Sequence, residues 1–307
     1  MSRAEDRRIV KATIDDGARV FLGNWVFGDR VTVAARVLSC LVDDTDLTGL
    51  VSNVATSTSS IKFLVDNARM GDAAWSCEAS CFANNPQPDL AEGLSELEIK
   101  VESLRYIACA GSDLIQDSSF PIESFVLRKV SDGFRRSISA AILIGDGVGK
   151  PLGILHPLAG IPVCETSPST PAGMFTWMDL VALKWQVAQQ WHGAGAAYLM
   201  NQTTFGLLLT MSDATGRPIM IASPTESGQF LINGSPVVIA SQMPDVAPGA
   251  TPVAFGNWRA AYTLVTRSAV TMLTDPYSGG WCTLFRFESR IGGAVTCGNA
   301  ARLLLIK

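Results

Sequence analysis

Glycines at 145, 147 and 149 run into Lys150 within "LIGDGVGKPLGIL" (143–155). Glycine-rich backbone followed by lysine is the raw material of a phosphate cradle. That chemistry needs G-x-x-x-x-G-K followed by Ser or Thr, with the loop opening a helix so that free N–H groups face the anion. Here Ile144 stands where the first glycine is required, and Pro151 follows Lys150 with neither hydroxyl nor N–H. The helical pattern also precedes the glycines, which excludes a dinucleotide fingerprint for the same reason. The stretch instead predicts a helix C-terminus, with Gly145 as its left-handed cap and Pro151 blocking continuation.

The remaining reactive side chains are sparse. The only histidines are His156, in a turn before Pro157, and His192, at an expected helix end where it would satisfy carbonyls. No G-x-S-x-G is present to supply a nucleophile elbow. Acidic pairs at Asp15–Asp16 and around Asp43, Asp44 and Asp46 lack the spacing of a calcium loop and read as solvated turns. Seven cysteines lie at 40, 77, 81, 109, 164, 282 and 297, without C-x-x-C or a histidine to complete a zinc site. Their odd number and scatter predict buried or reduced thiols. No catalytic, cofactor or metal site is expected.

The 307 residues are 48% hydrophobic and only 17% charged, so much of the surface is expected to be covered by something else. With a net charge of −4 there is no basic field to draw nucleic acid. The charged N-terminus "MSRAEDRRIVKATIDD" is no signal peptide, and apolar runs such as "AAILI" are far shorter than a membrane span. A soluble protein without a membrane partner is expected.

Several elements must position these residues. "VTVAARVLSCLV" (31–42) alternates like a strand. "SIKFLV" (60–65) enters a hairpin, and Leu97, Ile99 and Val101 leave it, alternating with Glu96, Glu98, Lys100 and Glu102. Such a hairpin has little core and must lie on another surface, its own or a neighbour's. Ile122, Val126, Val130, Phe134, Ile138 and Ile142 repeat every four residues and predict one long helix over about 120–144, with Arg128, Lys129, Asp132, Arg135 and Arg136 outward. A second helix is expected over 176–193, capped by Thr176 with Asp179 in the capping-box position and closed by Gly193. "AAYLMN" (196–201) reads as a buried strand, 202–213 as a helix begun by Asn201, 214–219 as a turn, and Asn233-Gly234 as a hairpin turn. Further strands follow at 251–258, 261–268, 270–275 and 281–307.

The order of "LIGDGVGKPLGIL" (143–155), "YLMNQTTFGLLLTMSDATGRPIM" (198–220), "INGSPVVIASQMP" (232–244), "VAFGNW" (253–258) and "FESRIGGAVTCGNAARLLLIK" (287–307) resembles the major capsid proteins of tailed double-stranded-DNA bacteriophages, the Hong Kong 97 phage type. The resemblance implies an α+β fold. It assigns an N-terminal arm (1–30), a first part of a peripheral domain (31–59) and an extended hairpin loop (60–104). It further assigns the rest of the peripheral domain with a spine helix (105–152), an axial domain (153–262) and C-terminal strands returning to the peripheral domain (263–307).

It implies a structural subunit without enzymatic activity or cofactor, forming hexamers and pentamers of an icosahedral shell around double-stranded DNA held without sequence specificity. Scaffolding, portal and cementing or decoration proteins would be further partners. The location would be the virion, after assembly in the bacterial host cytoplasm. Subunit contacts are expected at Trp75 and Glu78 on the loop and at Arg128, Arg135 and Arg136 on the spine helix. Residues 63–99 contain no lysine, so no lysine–asparagine cross-link is expected at the loop tip. The short segment before the fold implies that scaffolding is a separate protein or that processing has already occurred. Two alternatives stand beside this reading: an encapsulin-like nanocompartment shell, and a cytosolic enzyme using the 145–150 glycine corner.

Overall fold

The computed structural model describes residues 46–66, 94–117, 122–193, 195–211 and 230–307. The expected strand at 31–42, the turn at 214–219, the loop tip and the N-terminal arm lie outside the described residues.

In chain order the strands are β1 (Ser52–Ala55), β2 (Ser60–Asp66), β3 (Leu94–Lys100) and β4 (Glu102–Gly111), followed by helices α1 (Ser112–Asp117) and α2 (Ile122–Ile144). Then come β5 (Val163–Glu165), α3 (Trp177–Gln186), β6 (Ala196–Met200), α4 (Gln202–Thr210), β7 (Leu231–Ile232), β8 (Ser235–Ile239) and β9 (Val253–Asn257). The chain closes with α5 (Trp258–Ala261), β10 (Tyr262–Asp275), β11 (Cys282–Val295) and β12 (Ala301–Leu305). The strands form a four-stranded sheet ordered β1-β10-β11-β4, a six-stranded sheet ordered β5-β12-β9-β6-β8-β7, and the pair β2-β3. The 263–307 segment is thus divided: β10 and β11 lie in the four-stranded sheet, whereas β12 lies between β5 and β9 in the six-stranded one.

The chain separates into two units. Among the described residues, one comprises 107–117, 122–129 and 272–286; the other comprises 46–66, 94–106, 130–193, 195–211, 230–271 and 287–307. The larger holds the six-stranded sheet, which is buried on both faces. Ala197, Leu199, Ala254 and Leu303 point to one side, joining Ile142, Leu143, Ile154, Trp258 and Tyr262. Tyr198, Met200, Phe255 and Leu304 point to the other, joining Leu180 and Leu183 of α3 and Phe205 and Leu208 of α4. Two-sided burial explains why β6 reads as an unbroken apolar run rather than an alternating one. Two of the large polar side chains taken inside are paired: Trp258 Nε1 donates to Ala197 O at 2.9 Å and Tyr198 Oη to Leu180 O at 3.1 Å, while the Tyr262 hydroxyl has no partner among the described residues.

α2 follows its sequence pattern closely. Val130, Phe134 and Ile142 are buried, while Arg128, Lys129, Asp132, Arg135 and Arg136 are exposed. Its end differs from expectation. Gly145 is not left-handed; the positive φ angles belong to Gly147 (78°) and Gly149 (65°). Gly145 is needed for space, because a Cβ there would lie 2.0 Å from Pro151 O. Gly153 is equally confined, with a Cβ 2.4 Å from Gly145 N and 2.6 Å from Leu143 O. The returning chain comes this close because it caps the helix. Ile154 N donates to Ile142 O at 2.8 Å, Leu155 N to Leu143 O at 2.9 Å, and Gly153 N to Gly145 O at 2.9 Å. Carbonyls that a helix end leaves unpaired are thereby satisfied by backbone.

α3 stops at Gln186, earlier than its expected end at Gly193. Val187 turns extended (ψ 135°), and Gln189–Trp191 form a separate 3-10 turn. The apolar repeat Leu180, Leu183, Val187 continues across that break, since Val187 still enters the same cluster. At the helix start, the Asp179 carboxylate accepts from Thr176 N (2.7 Å), Thr176 Oγ1 (2.8 Å), Ser167 N (2.8 Å) and Thr170 Oγ1 (3.0 Å). Burial alone would raise its pKa, but the hydrogen bonds from Ser167, Thr176 and Thr170 outweigh it and hold the carboxyl below its ordinary value.

Two stability predictions follow from these geometries. Gly153→Ala forces a Cβ into backbone and should cost about 3 kcal/mol or more, read as a lowered urea midpoint. Asp179→Asn should cost about 1–3 kcal/mol at neutral pH. Because the folded pKa is depressed, the wild-type contribution is present above the unfolded carboxylate value near pH 4 and fades as pH falls through the folded one. Denaturation curves of wild type and Asp179→Asn should therefore converge on acidification; a constant gap down to pH 2 would contradict the assignment.

Candidate functional site

The glycine corner is a structural turn. Asp146 Oδ1 accepts from Val148 N at 3.0 Å, and Lys150 Nζ lies 3.3 Å from Asp146 Oδ2. The Val148 N–H bond, with a further part from Lys150, outweighs desolvation and holds the Asp146 carboxyl below its usual range. The lysine that would have met a phosphate is engaged by its own turn. Beside it lies a cavity of about 360 Å³ lined largely by Leu104, Ile138, Ala141, Ile144, Pro151 and Ile291. Glu102, Ser103, Ser137 and Lys150 also border it, and the Lys150 ammonium is paired with Asp146.

Both histidines have structural partners. His156 Nδ1 accepts from Leu158 N at 3.2 Å, and His192 Nε2 pairs with Val187 O at 2.9 Å. Lys184 Nζ donates to Asn233 O at 2.5 Å and Ser235 Oγ at 3.0 Å, which ties α3 to the β7–β8 turn; burial lowers its pKa. Asn201 caps α4 by accepting from Thr204 N at 2.7 Å, and its amide donates to Asp245 at 2.7 Å. Hydrogen bonds from Thr203 and Asn201 lower the Asp245 pKa. No group of three or more His, Cys, Asp or Glu that could hold a metal occurs among the described residues.

What the described residues do present is uncovered apolar and cationic surface. In the β2–β3 pair, Phe63 faces Leu97 and Ile61 faces Ile99. Ile61, Phe63, Leu97 and Val101 pack with Ile99, Val265 and Ala294, so the base of the hairpin rests on its own chain. On the opposite face Leu64 stands across from Glu96, and Leu94 across from Asp66. These two leucines are diagonal neighbours and are 71% and 51% exposed. Beside them, Lys62 Nζ is 3.0 Å from Glu96 Oε2. An apolar pair thus stands between charges on a strand face left open to water.

Of the expected contact residues, Trp75 and Glu78 lie outside the described residues. Arg128, Arg135 and Arg136 are exposed on α2, where Arg128 Nε donates to Ser124 O of its own helix. Arg135 and Arg136 make no ion pair among the described residues.

The smaller unit exposes Tyr277 and Trp281, at 92% and 94%. It also contains a feature that the sequence reading missed. Cys109 and Cys282, expected to be reduced, are joined in a disulfide across a separation of 173 residues. Spacing carries no signal for such a pair; the order β11-β4 in the sheet is what makes the two residues neighbours. Cys164 and Cys297 are free, and Cys40, Cys77 and Cys81 lie outside the described residues.

Comparison with known proteins gives these surfaces a context. The capsid of a GTA particle matches in its native form with 28% identity and a TM-score of 0.78, and in its empty form with 29% and 0.77. Both alignments cover 90% of this chain and 95% of the other. The Gordonia phage Cozz structure matches at 15% identity and TM-score 0.63, covering 90% and 91%. The holo-SrpI encapsulin of Synechococcus elongatus matches at 12% and 0.63, covering 89% and 91%. No curated protein matches. The sequence model described as the phage capsid family spans residues 31–305. The chain therefore belongs to the phage capsid family and is a major capsid protein of Hong Kong 97-like fold.

Proposed function

We propose that copies of this chain assemble as hexamers and pentamers into a closed icosahedral shell around double-stranded DNA, in a tailed phage or a gene-transfer particle. The observation that carries the reading is the likeness to the capsid of the GTA particle over nine-tenths of both chains. The shell-building role also accounts for Leu64 and Leu94 standing uncovered on the hairpin. In this reading 60–104 is the extended loop, α2 is the spine helix, 153–262 forms the axial domain, and Trp75, Glu78, Arg128, Arg135 and Arg136 meet neighbouring copies.

The subunit is structural, with no reaction of its own. Portal, scaffolding and decoration proteins are its further partners. Assembly takes place in the host cytoplasm and ends in the virion. The encapsulin reading has weaker support, because the likeness there is one of fold at 12% identity. A net charge of −4 suits a wall that confines DNA without gripping it.

Negative-stain microscopy and sedimentation of the purified chain test this reading. Megadalton closed particles are expected; a small oligomer as the sole product would overturn it. Lys150→Ala should form the same particles, since its partner is Asp146 rather than a ligand. Leu64→Ser combined with Leu94→Ser should keep the circular dichroism of the wild type while reducing particle yield by about tenfold or more. Undiminished yield would remove the hairpin face from the contact.

A further inference from the structure

We infer that Cys109 and Cys282 form a reversible, solvent-accessible redox clasp that closes the smaller unit after the chain leaves a reducing environment. The clasp joins the end of β4 to the first residue of β11, with Cα atoms 5.9 Å apart. That separation suits a disulfide.

The disulfide adds a covalent tie to the described part of the smaller unit. Among its described residues only Ala110 and Phe285 are buried hydrophobics. The ladder joining β4, β11 and β10 runs through it, and further bonds flank the disulfide. Ser112 N and Oγ donate to Trp281 O at 3.1 and 3.2 Å, and Arg286 pairs with Asp275 at 2.9 Å near the surface. Exposed ion pairs hold little. The neighbouring turn is also shaped around the bond. A Cβ on Gly279 would lie 2.2 Å from Cys282 O and 3.1 Å from Cys282 Sγ, so residue 279 has to be glycine for Cys282 to sit where it does.

Exposure makes the clasp reversible. Cys109 is exposed and Cys282 half-buried, so a small thiol can reach the sulfurs. Cys164 shows the contrast: it is buried, and desolvation raises its thiol pKa, which keeps it inert. Closure proceeds by exchange with a small disulfide such as oxidised glutathione. One cysteine thiolate attacks it and expels one small thiol. The second protein thiolate then attacks the mixed disulfide and expels the other. The two cysteines lose two electrons and two protons, and the small disulfide becomes two thiols. A reducing cytoplasm runs this backwards and an oxidising medium runs it forwards.

The test uses the purified full chain in whatever assembly it adopts, so it is independent of the shell reading. Maleimide added at cell lysis should trap Cys109 and Cys282 as free thiols. After exposure to oxidised glutathione, peptide mapping should find the two joined. Native-state dithiothreitol should reopen them, and chymotryptic cleavage at Tyr277 and Trp281 should then accelerate by about tenfold. A Cys109→Ser/Cys282→Ser chain should be cleaved at the fast rate with or without reductant. A bond already closed at lysis, free thiols persisting after oxidation, or equal acceleration of the double variant by reductant would each overturn the inference.

Discussion

The larger unit depends on one place where backbone meets backbone without side chains between. At the end of α2, Gly145 and Gly153 lie so close that neither accepts a Cβ, and residues 153–155 donate into the helix's last carbonyls. The helix is thereby welded to the strand-bearing chain that follows it. Its terminal apolar residues, Ile142 and Leu143, are held against one face of the six-stranded sheet, where Trp258 and Tyr262 complete the layer. α3 and α4 close the other face. A sheet sealed on both sides, with the last turns of α2 fixed against it, makes the core of the larger unit.

Much of this was legible in the chain. The four-residue apolar repeat of α2, the Asn201 cap of α4, the Asn233-Gly234 turn and the alternation of Leu97, Ile99 and Val101 all appear where local physics puts them, because each depends on neighbours a few residues away. The misreadings share the opposite cause. Gly145 resembled a left-handed cap in sequence, but its role is set by Pro151 and Gly153 across a turn. The capping box of Thr176 and Asp179 was visible, whereas Ser167 and Thr170, which complete the carboxylate's shell, come from a separate loop. α3 ends at Gln186 although its apolar spacing continues, since burial of Val187 does not require helical backbone. The clasp between Cys109 and Cys282 is invisible because sheet order, not spacing, makes it.

The composition, too, becomes intelligible at the level of surfaces. Only 17% of residues are charged, and apolar side chains occupy positions that water would ordinarily select against. Leu64 and Leu94 on the hairpin are examples, as are Tyr277 and Trp281 on the smaller unit. Inside, Trp258, Tyr198 and Asp179 find partners, whereas the Tyr262 hydroxyl is buried without one among the described residues. Exterior apolar exposure of this kind suits a part made to be joined.

The uncovered leucines of the hairpin also impose a timetable. In the proposed assembly, a newly made copy carries this uncovered strand surface before any neighbour is present, and exposed apolar strand surface does not discriminate between orderly docking and clumping. Which outcome prevails is a contest of rates: how quickly a copy meets a correctly oriented companion against how quickly it meets an arbitrary one. Supply in the cell therefore governs the quality of the product as much as the strength of any finished contact, and slow, steady synthesis favours closure over debris.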